Sequence, residues 1–271
     1  MFGFYKIVFF FFLTVVSFGV ISCSKNKEKT QIIEKDNKVY QNVEKLEVVF
    51  RTSDNLNIKG DYYFYQNKTE LKQPLIILIH QFRSSRQQWN KDFIDSLVNN
   101  GYKVLTYDIR VHGESDKIKS DLSNLLTDKE QAPKDLDAIF KWAKIQMGID
   151  TSRIGVAGTS IGASLALYTR YFLGAKTIIG ISGGKKSFEG ITGIDERTMG
   201  AGMAARRVSS VFFICGSKDN DYIKEEESIL ENFVMEPKQI KIFESEKHGK
   251  DLIQQYPEIN GMILNWFNKY L

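Results

Sequence analysis

The stretch that decides the fold is RIGVAGTSIGASLALY, residues 153–168. Its first part is rich in β-branched and small apolar residues, which is typical of a buried strand. Its last part has a helical pattern, and Ser160 stands between the two parts with a glycine two residues to either side. A serine at a sharp turn from strand to helix presents its hydroxyl at the end of the strand. The stretch therefore predicts a strand–turn–helix unit with Ser160 as a candidate nucleophile.

The composition is that of a folded globular domain. The chain has 271 residues, of which 42% are hydrophobic and 26% are charged, and its 37 basic and 33 acidic residues give a formal net charge of +4. A chain of this length can bury one sizeable core, and α/β folds of this size often form a single domain. No basic block is interleaved with aromatic residues, so the sequence gives no support to nucleic-acid binding.

The first 23 residues predict an export signal. Lys6 is followed by a long apolar run and then by small residues, which is the design of a signal peptide. The ending VISC, residues 20–23, resembles the lipobox of bacterial lipoproteins, in which the cysteine carries lipid and becomes the mature N-terminus. An uncleaved membrane anchor is the alternative, although the apolar run is shorter than the roughly 20 residues that a membrane helix needs. We expect a lipidated Cys23 and an exported protein anchored in a bacterial membrane, on its periplasmic or cell-surface side.

Residues 24–44 are polar and mixed in charge, and they predict a solvated tether between this anchor and a folded domain at 45–271. The sequence has one cysteine besides Cys23, so no internal disulfide is expected. That cysteine, Cys215, lies in an apolar run, and we expect it to be a small buried thiol and not a nucleophile.

Within the predicted domain, strand-like segments alternate with helix-like segments. Residues 45–52 and 56–65 predict an opening hairpin, and residues 74–80 form the continuous apolar run expected of a strand buried on both faces. Further strands are predicted at 102–110, 152–160, 175–182, 208–216 and 238–245, and helices at 87–101, 133–148, 161–174, near 221–234 and near 258–270. This order predicts an α/β fold with a mostly parallel, twisted sheet of about eight strands and helices on both faces.

In such sheets, functional residues lie at the carboxyl ends of the strands. Three candidate residues follow predicted strands, and their order along the chain is informative. Ser160 needs a base to become nucleophilic, and that base needs an acid to orient it. His248 follows the last predicted strand, and Asp219 follows the strand before it, with Asp221 as the second candidate acid. The order serine, aspartate, histidine along the chain is the one that hydrolases with a serine elbow use. The sequence therefore predicts a catalytic triad of Ser160, Asp219 and His248.

From about residue 45 to its end, the chain resembles the α/β-hydrolase superfamily, and in particular its small bacterial esterase-like branch related to dienelactone hydrolases. The elbow carries this resemblance together with three further segments, LIHQFRSSRQQW at 78–89, YDIRVHGES at 107–115 and GISGGKKSFEGI at 180–191. The resemblance implies that the backbone amides of Phe82 and Ile161 form an oxyanion hole.

The chain departs from this family pattern at two positions. Gln81 and Val111 stand where the family usually or often has glycine, and Gln81 is the next candidate for the oxyanion site. The two remaining histidines, His80 and His112, are expected to be structural and to hold loops through hydrogen bonds.

These features predict a serine hydrolase, most simply a carboxylesterase that acts on small or exposed acyl esters through an acyl-enzyme. The alternatives are a serine peptidase and a non-catalytic surface-binding lipoprotein. Residues 183–207 are expected to form either a short cap over the site or a plain surface loop with one turn of helix. The sequence offers no metal-ligand cluster, P-loop or dinucleotide fingerprint, so neither a metal nor a cofactor is expected.

Overall fold

The computed structural model describes residues 43–65, 72–118, 122–200 and 207–271. The predicted signal peptide, with Cys23, and residues 24–42 of the predicted tether lie outside these ranges. The described residues form one eight-stranded sheet in the order β1-β2-β4-β3-β5-β6-β7-β8. Its strands are β1 Val43–Arg51, β2 Asn57–Tyr65, β3 Gln73–Ile79, β4 Lys103–Tyr107, β5 Ile149–Thr159, β6 Thr177–Ile181, β7 Val211–Gly216 and β8 Lys238–Phe243.

The sheet is mostly parallel, as the sequence predicts. Strands β1 and β2 form the predicted antiparallel hairpin, and β2 also runs antiparallel to β4. All the other neighbours are parallel. The carboxyl ends of β3 to β8 therefore lie along one edge of the sheet, where residues that follow these strands can meet.

Helices cover both faces of the sheet. Within the described ranges they are α1 Lys91–Asn99, α2 Asn124–Thr127, α3 Pro133–Ile145, α4 Ile161–Tyr168, α5 Lys185–Thr192, α6 Glu196–Gly200, α7 Tyr222–Phe233, α8 Lys250–Gln255 and α9 Glu258–Tyr270. A π-helical segment, Thr169–Leu173, continues α4. None of the helices in the described part of the chain combines the length and the apolar character that crossing a membrane requires.

The side chains of β3 belong to two hydrophobic clusters, one on each face of the sheet. Leu75, Ile77 and Ile79 pack with residues of α3, α4, α5 and α7. Ile76 and Leu78 belong to a second cluster, with residues of α1, α8 and α9. Successive side chains of a strand point to opposite faces, so a strand with helices on both sides must be apolar throughout.

Helix α1 begins later than the sequence pattern predicts. The apolar spacing predicts a helix from residue 87, but α1 begins at Lys91 because Asn90 caps it, its side chain accepting a hydrogen bond from the Phe93 N–H at 2.8 Å. The preceding residues Arg86–Gln88 form a separate 3-10 turn. Trp89 therefore reaches the core from the loop between the turn and the helix.

The first part of the 183–207 segment contains helix α5, which packs on the core. Phe188 and Ile191 of α5 are fully buried, and the ring of Phe188 meets that of Phe233 edge-on, with the centroids 5.2 Å apart. Residues 201–206 lie outside the described ranges. Helix α5 is thus anchored to the body of the domain through its apolar face.

Phe188→Ala tests this anchoring. Removing a fully buried phenylalanine should lower the free energy of unfolding by about 3–5 kcal/mol, because apolar contacts are lost and a cavity remains. Phe172→Ala is the matched control, since this ring is 48% exposed, and it should cost about 1 kcal/mol or less. Urea unfolding followed by circular dichroism measures both values. Equal costs for the two variants would show that α5 is not anchored by its apolar face.

Candidate active site

Ser160 stands at a strained turn between β5 and α4. Its backbone has φ 54° and ψ −118°, a conformation that L-residues rarely adopt. The turn is so tight that a Cβ on Gly158 would lie 2.1 Å from the carbonyl oxygen of Gly162. A Cβ on Gly162 would lie 2.6 Å from the carbonyl oxygen of Ile79 at the end of β3. Both glycines of the G-x-S-x-G pattern are thus required by close backbone contacts.

The predicted acid and the predicted base are in direct contact. His248 Nδ1 lies 2.9 Å from Asp219 Oδ2 and 3.1 Å from Asp219 Oδ1. Asp219 is buried after β7, while the side chain of His248 is 30% exposed. The ring of Tyr222 packs beside that of His248, with the centroids 4.6 Å apart. Asp221, the second candidate acid, is exposed and pairs with Lys224 instead.

Ser160 and His248 belong to loops that rest on the end of β6. The Ser160 N–H donates to the carbonyl of Ile181 at 2.8 Å, and the Gly249 N–H donates to Ser182 Oγ at 3.0 Å. Within the described residues, the Ser160 hydroxyl makes no hydrogen bond to His248. Such bonds are often long in ligand-free sites and tighten when substrate binds.

The two amides expected in the oxyanion hole are available as donors. The Ile161 N–H is the first of α4, so the helix provides no acceptor for it. No residue in the described ranges accepts a hydrogen bond from the Phe82 N–H. The carbonyl of the same peptide, that of Gln81, accepts from His80 Nδ1 at 2.7 Å and from the Ser84 N–H at 3.1 Å. Because a peptide is planar and its N–H points opposite its C=O, these bonds fix the direction of the Phe82 N–H.

The other two histidines join loops through hydrogen bonds, as predicted. His80 is fully buried, and its Nε2 accepts from the Ile109 N–H at 3.0 Å. His112 Nε2 accepts from the Arg83 N–H at 3.0 Å, and its Nδ1 lies 3.0 Å from the carbonyl oxygen of Arg110. The acceptor role of Nε2 assigns the proton to Nδ1 in both rings. Both rings therefore connect the turn after β3 to the loop after β4.

Buried charges hold the same two loops together. The Arg86 guanidinium pairs with Asp108, and its Nε lies 3.2 Å from Asp61 Oδ2. The Arg86 N–H also donates to Asp108 Oδ1 at 2.7 Å. Val111, in the loop after β4, has φ 63°, a left-handed conformation that is costly for a β-branched side chain. The loop thus keeps a glycine-like conformation at the position where the family it resembles often has glycine.

A buried carboxyl near the site was missed in the sequence analysis. Glu226 of α7 is fully buried, and its Oε1 accepts from the Gly183 N–H at 2.6 Å. Burial raises the pKa of Glu226 well above its usual range, and the nearby charge of Asp219 raises it further. In the sequence, Glu226 is the middle one of three consecutive glutamates, a pattern typical of an exposed helix face. The available signal was its spacing of three residues from the apolar Ile229.

Cys215 is the buried thiol that the sequence predicts. It is fully buried on β7, and burial raises the pKa of its thiol. The described ranges contain no group of three or more His, Cys, Asp or Glu side chains arranged to hold a metal ion.

Comparison with known proteins agrees with this architecture. Residues 61–251 match the model of the dienelactone hydrolase family. The chain is 35% identical over 92 residues to an uncharacterized 31.7 kDa protein of the traX-finO intergenic region of Escherichia coli, a match that covers 34% of this chain and 30% of that protein.

Solved structures share the fold at low sequence identity. An esterase of Pyrococcus furiosus superposes with a TM-score of 0.63 and 22% identity, covering 84% of this chain and 93% of that one. An acetyl xylan esterase of a Paenibacillus species superposes with a TM-score of 0.67 and 16% identity, covering 88% and 87%. The fold is therefore that of the α/β-hydrolases. The family match spans most of the chain, and the chain belongs to the dienelactone hydrolase family.

The buried His80 makes a testable contribution to acid stability. Burial lowers the pKa of His80 to about 4, whereas an imidazole in an unfolded chain titrates near pH 6.5. As the pH falls, the unfolded chain takes up the proton first, so stability is lost between about pH 6.5 and pH 4. Over this pH range, the free energy of unfolding of the parent should fall by about 3 kcal/mol more than that of His80→Gln. Urea unfolding at several pH values measures both. The same pH dependence in both proteins would contradict this expectation.

Proposed function

We propose that the protein is a serine hydrolase, specifically a carboxylesterase, that works through Ser160, His248 and Asp219. The observation that carries this proposal is the contact between the buried Asp219 and Nδ1 of His248, on the same sheet edge as the strained Ser160. With Nδ1 engaged by the carboxylate, Nε2 is the nitrogen that can act as the base.

The proposed reaction proceeds in two halves. His248 Nε2 removes the proton of Ser160 Oγ as this oxygen attacks the ester carbonyl carbon. The carbonyl oxygen becomes negative and receives hydrogen bonds from the Phe82 and Ile161 amides. The intermediate then expels the alkoxide, which takes the proton from His248 and leaves as the alcohol. Water next attacks the acyl-enzyme with His248 again as base, and the carboxylic acid leaves as Ser160 regains its proton.

The acid contributes through geometry and charge. Asp219 keeps the His248 proton on Nδ1 while the base is neutral, and its negative charge stabilises the imidazolium that forms during attack. Burial and the nearby charge of Asp219 both raise the pKa of Glu226, which disfavours a second negative charge that would compete for the positive ring.

Esters are the substrate class that the comparisons favour. The Pyrococcus and Paenibacillus proteins that share the fold are named as esterases, and the family takes its name from hydrolysis of a lactone, which is a cyclic ester. The substrate expected here is a small or exposed acyl ester. Faster cleavage of peptides than of esters would replace this proposal with the peptidase alternative.

Substitution of the three residues tests the proposal. In the full-length chain, Ser160→Ala should abolish both labelling by a fluorophosphonate probe and hydrolysis of p-nitrophenyl acetate. His248→Ala and Asp219→Asn should lower kcat by about 10,000-fold or more, because the serine is then not activated. Ser152→Ala, an exposed serine at the opposite end of β5, is the matched control and should equal the parent protein. A folded parent that neither labels nor hydrolyses esters would refute the proposal.

We further propose that the chain is a bacterial lipoprotein attached through Cys23. The apolar run of residues 7–21 and the VISC ending support this location. In a bacterial host, Cys23→Ser should abolish incorporation of an alkyne fatty acid and move the protein from the detergent phase to the aqueous phase of Triton X-114. Cys215→Ser is the matched control and should keep the lipid. Retention of the label in Cys23→Ser would show that attachment does not use this cysteine.

A further inference from the structure

The side chain of Gln81 forms a hydrogen bond between two loops of the site that are distant in sequence. We infer that Gln81 is a positioning residue, which couples the turn carrying the Phe82 amide to the loop carrying His248. This inference rests on the proposed serine-hydrolase function, because it assigns Gln81 an effect on that reaction.

The first link runs from Gln81 to the histidine loop. Gln81 Oε1 accepts a hydrogen bond from the Lys250 N–H at 2.8 Å. Lys250 is the first residue of α8, so the helix has no acceptor for this N–H. Because only the amide oxygen can accept, the bond also fixes which way the Gln81 amide is turned.

Gly249, which directly follows His248, leaves space for the side-chain oxygen of Gln81. Gly249 has φ 54°, and a Cβ at this position would lie 2.3 Å from Gln81 Oε1. Its N–H donates to Ser182 Oγ. The two backbone amides that follow His248 are therefore each held by a side chain from the end of a strand, one beyond β6 and the other beyond β3.

A second link runs from the same residue to the serine elbow. The Gln81 N–H donates to Gln88 Oε1 at 3.0 Å, and Gln88 Nε2 donates to Thr159 Oγ1 at 2.8 Å. Thr159 directly precedes Ser160. Hydrogen bonds thus connect the oxyanion turn, the elbow and the histidine loop through two glutamines.

The effect expected from this arrangement is on geometry in the transition state. Gln81 is not among the described residues with positive φ, so its backbone does not require the glycine that the family usually has there. Its side chain, through the hydrogen bond to Lys250, fixes the distance between the Phe82 amide and the loop that carries His248. Small displacements of reacting groups reduce the rate of the chemical step far more than they reduce substrate binding.

Three variants of the full-length chain test the inference. Gln81→Leu removes the acceptor at nearly constant size, Gln81→Glu keeps an acceptor oxygen, and Gln87→Leu changes an exposed neighbour as the matched control. Steady-state hydrolysis of p-nitrophenyl acetate is measured per active site, with the sites titrated by a fluorophosphonate. Should Gln81→Leu not fold, Gln81→Gly replaces it.

We expect Gln81→Leu to lower kcat about 10- to 100-fold with KM within about twofold of the parent value. Gln81→Glu should regain most of kcat, and Gln87→Leu should equal the parent. Parental kcat per titrated site in Gln81→Leu, or a loss in Gln81→Glu as large as in Gln81→Leu, would overturn the inference. A parent protein that fails to label or turn over would instead refute the proposed function, so the two failures are distinguishable.

Discussion

The close contact between β5 and α4 at Ser160 is the constraint on which the rest of the site depends. The backbone can pass from strand to helix there only because Gly158 and Gly162 leave space for each other and for the end of β3. This turn places Ser160 beyond the sheet edge at which β3, β6, β7 and β8 also end. Because these strands are parallel, residues that follow different strands and are distant in sequence lie along one edge of the sheet.

Much of this arrangement could be predicted from the sequence, because buried parallel strands are apolar throughout and therefore easy to locate. The scarcity of histidine helped in the same way, since His248 is the one of three that follows the last strand. The sequence ranked Asp219 ahead of Asp221 but left both as candidates, because the difference in burial between them is visible only in the structure. The start of α1 was predicted too early, because Trp89 has helical spacing while Asn90 caps the helix after it.

The contacts that the sequence did not reveal are those of polar side chains whose partners are distant in the chain. Glu226 bonds to Gly183, and Gln81 to Lys250, across 43 and 169 positions. The spacing of Glu226 from Ile229 is the one local signal, and nothing in the local pattern indicates Lys250 as the partner of Gln81. Burial acts on Glu226 and His80 in the same sense, because it raises the pKa of the carboxyl and lowers that of the imidazole, and both shifts favour the uncharged form. At these two supporting side chains, burial thus favours hydrogen bonding over charge.

The burial of Cys215 has a consequence for oxidation chemistry. Peroxides react with thiolates and not with thiols, and the raised pKa of Cys215 keeps the sulfur protonated. Full burial on β7 also denies oxidants and other thiols access to this sulfur. The folded domain therefore withstands conversion to sulfenic acid and mixed disulfides at this position without any reducing partner. A serine in the elbow has the same property, because its hydroxyl, unlike a catalytic thiol, is inert to peroxide.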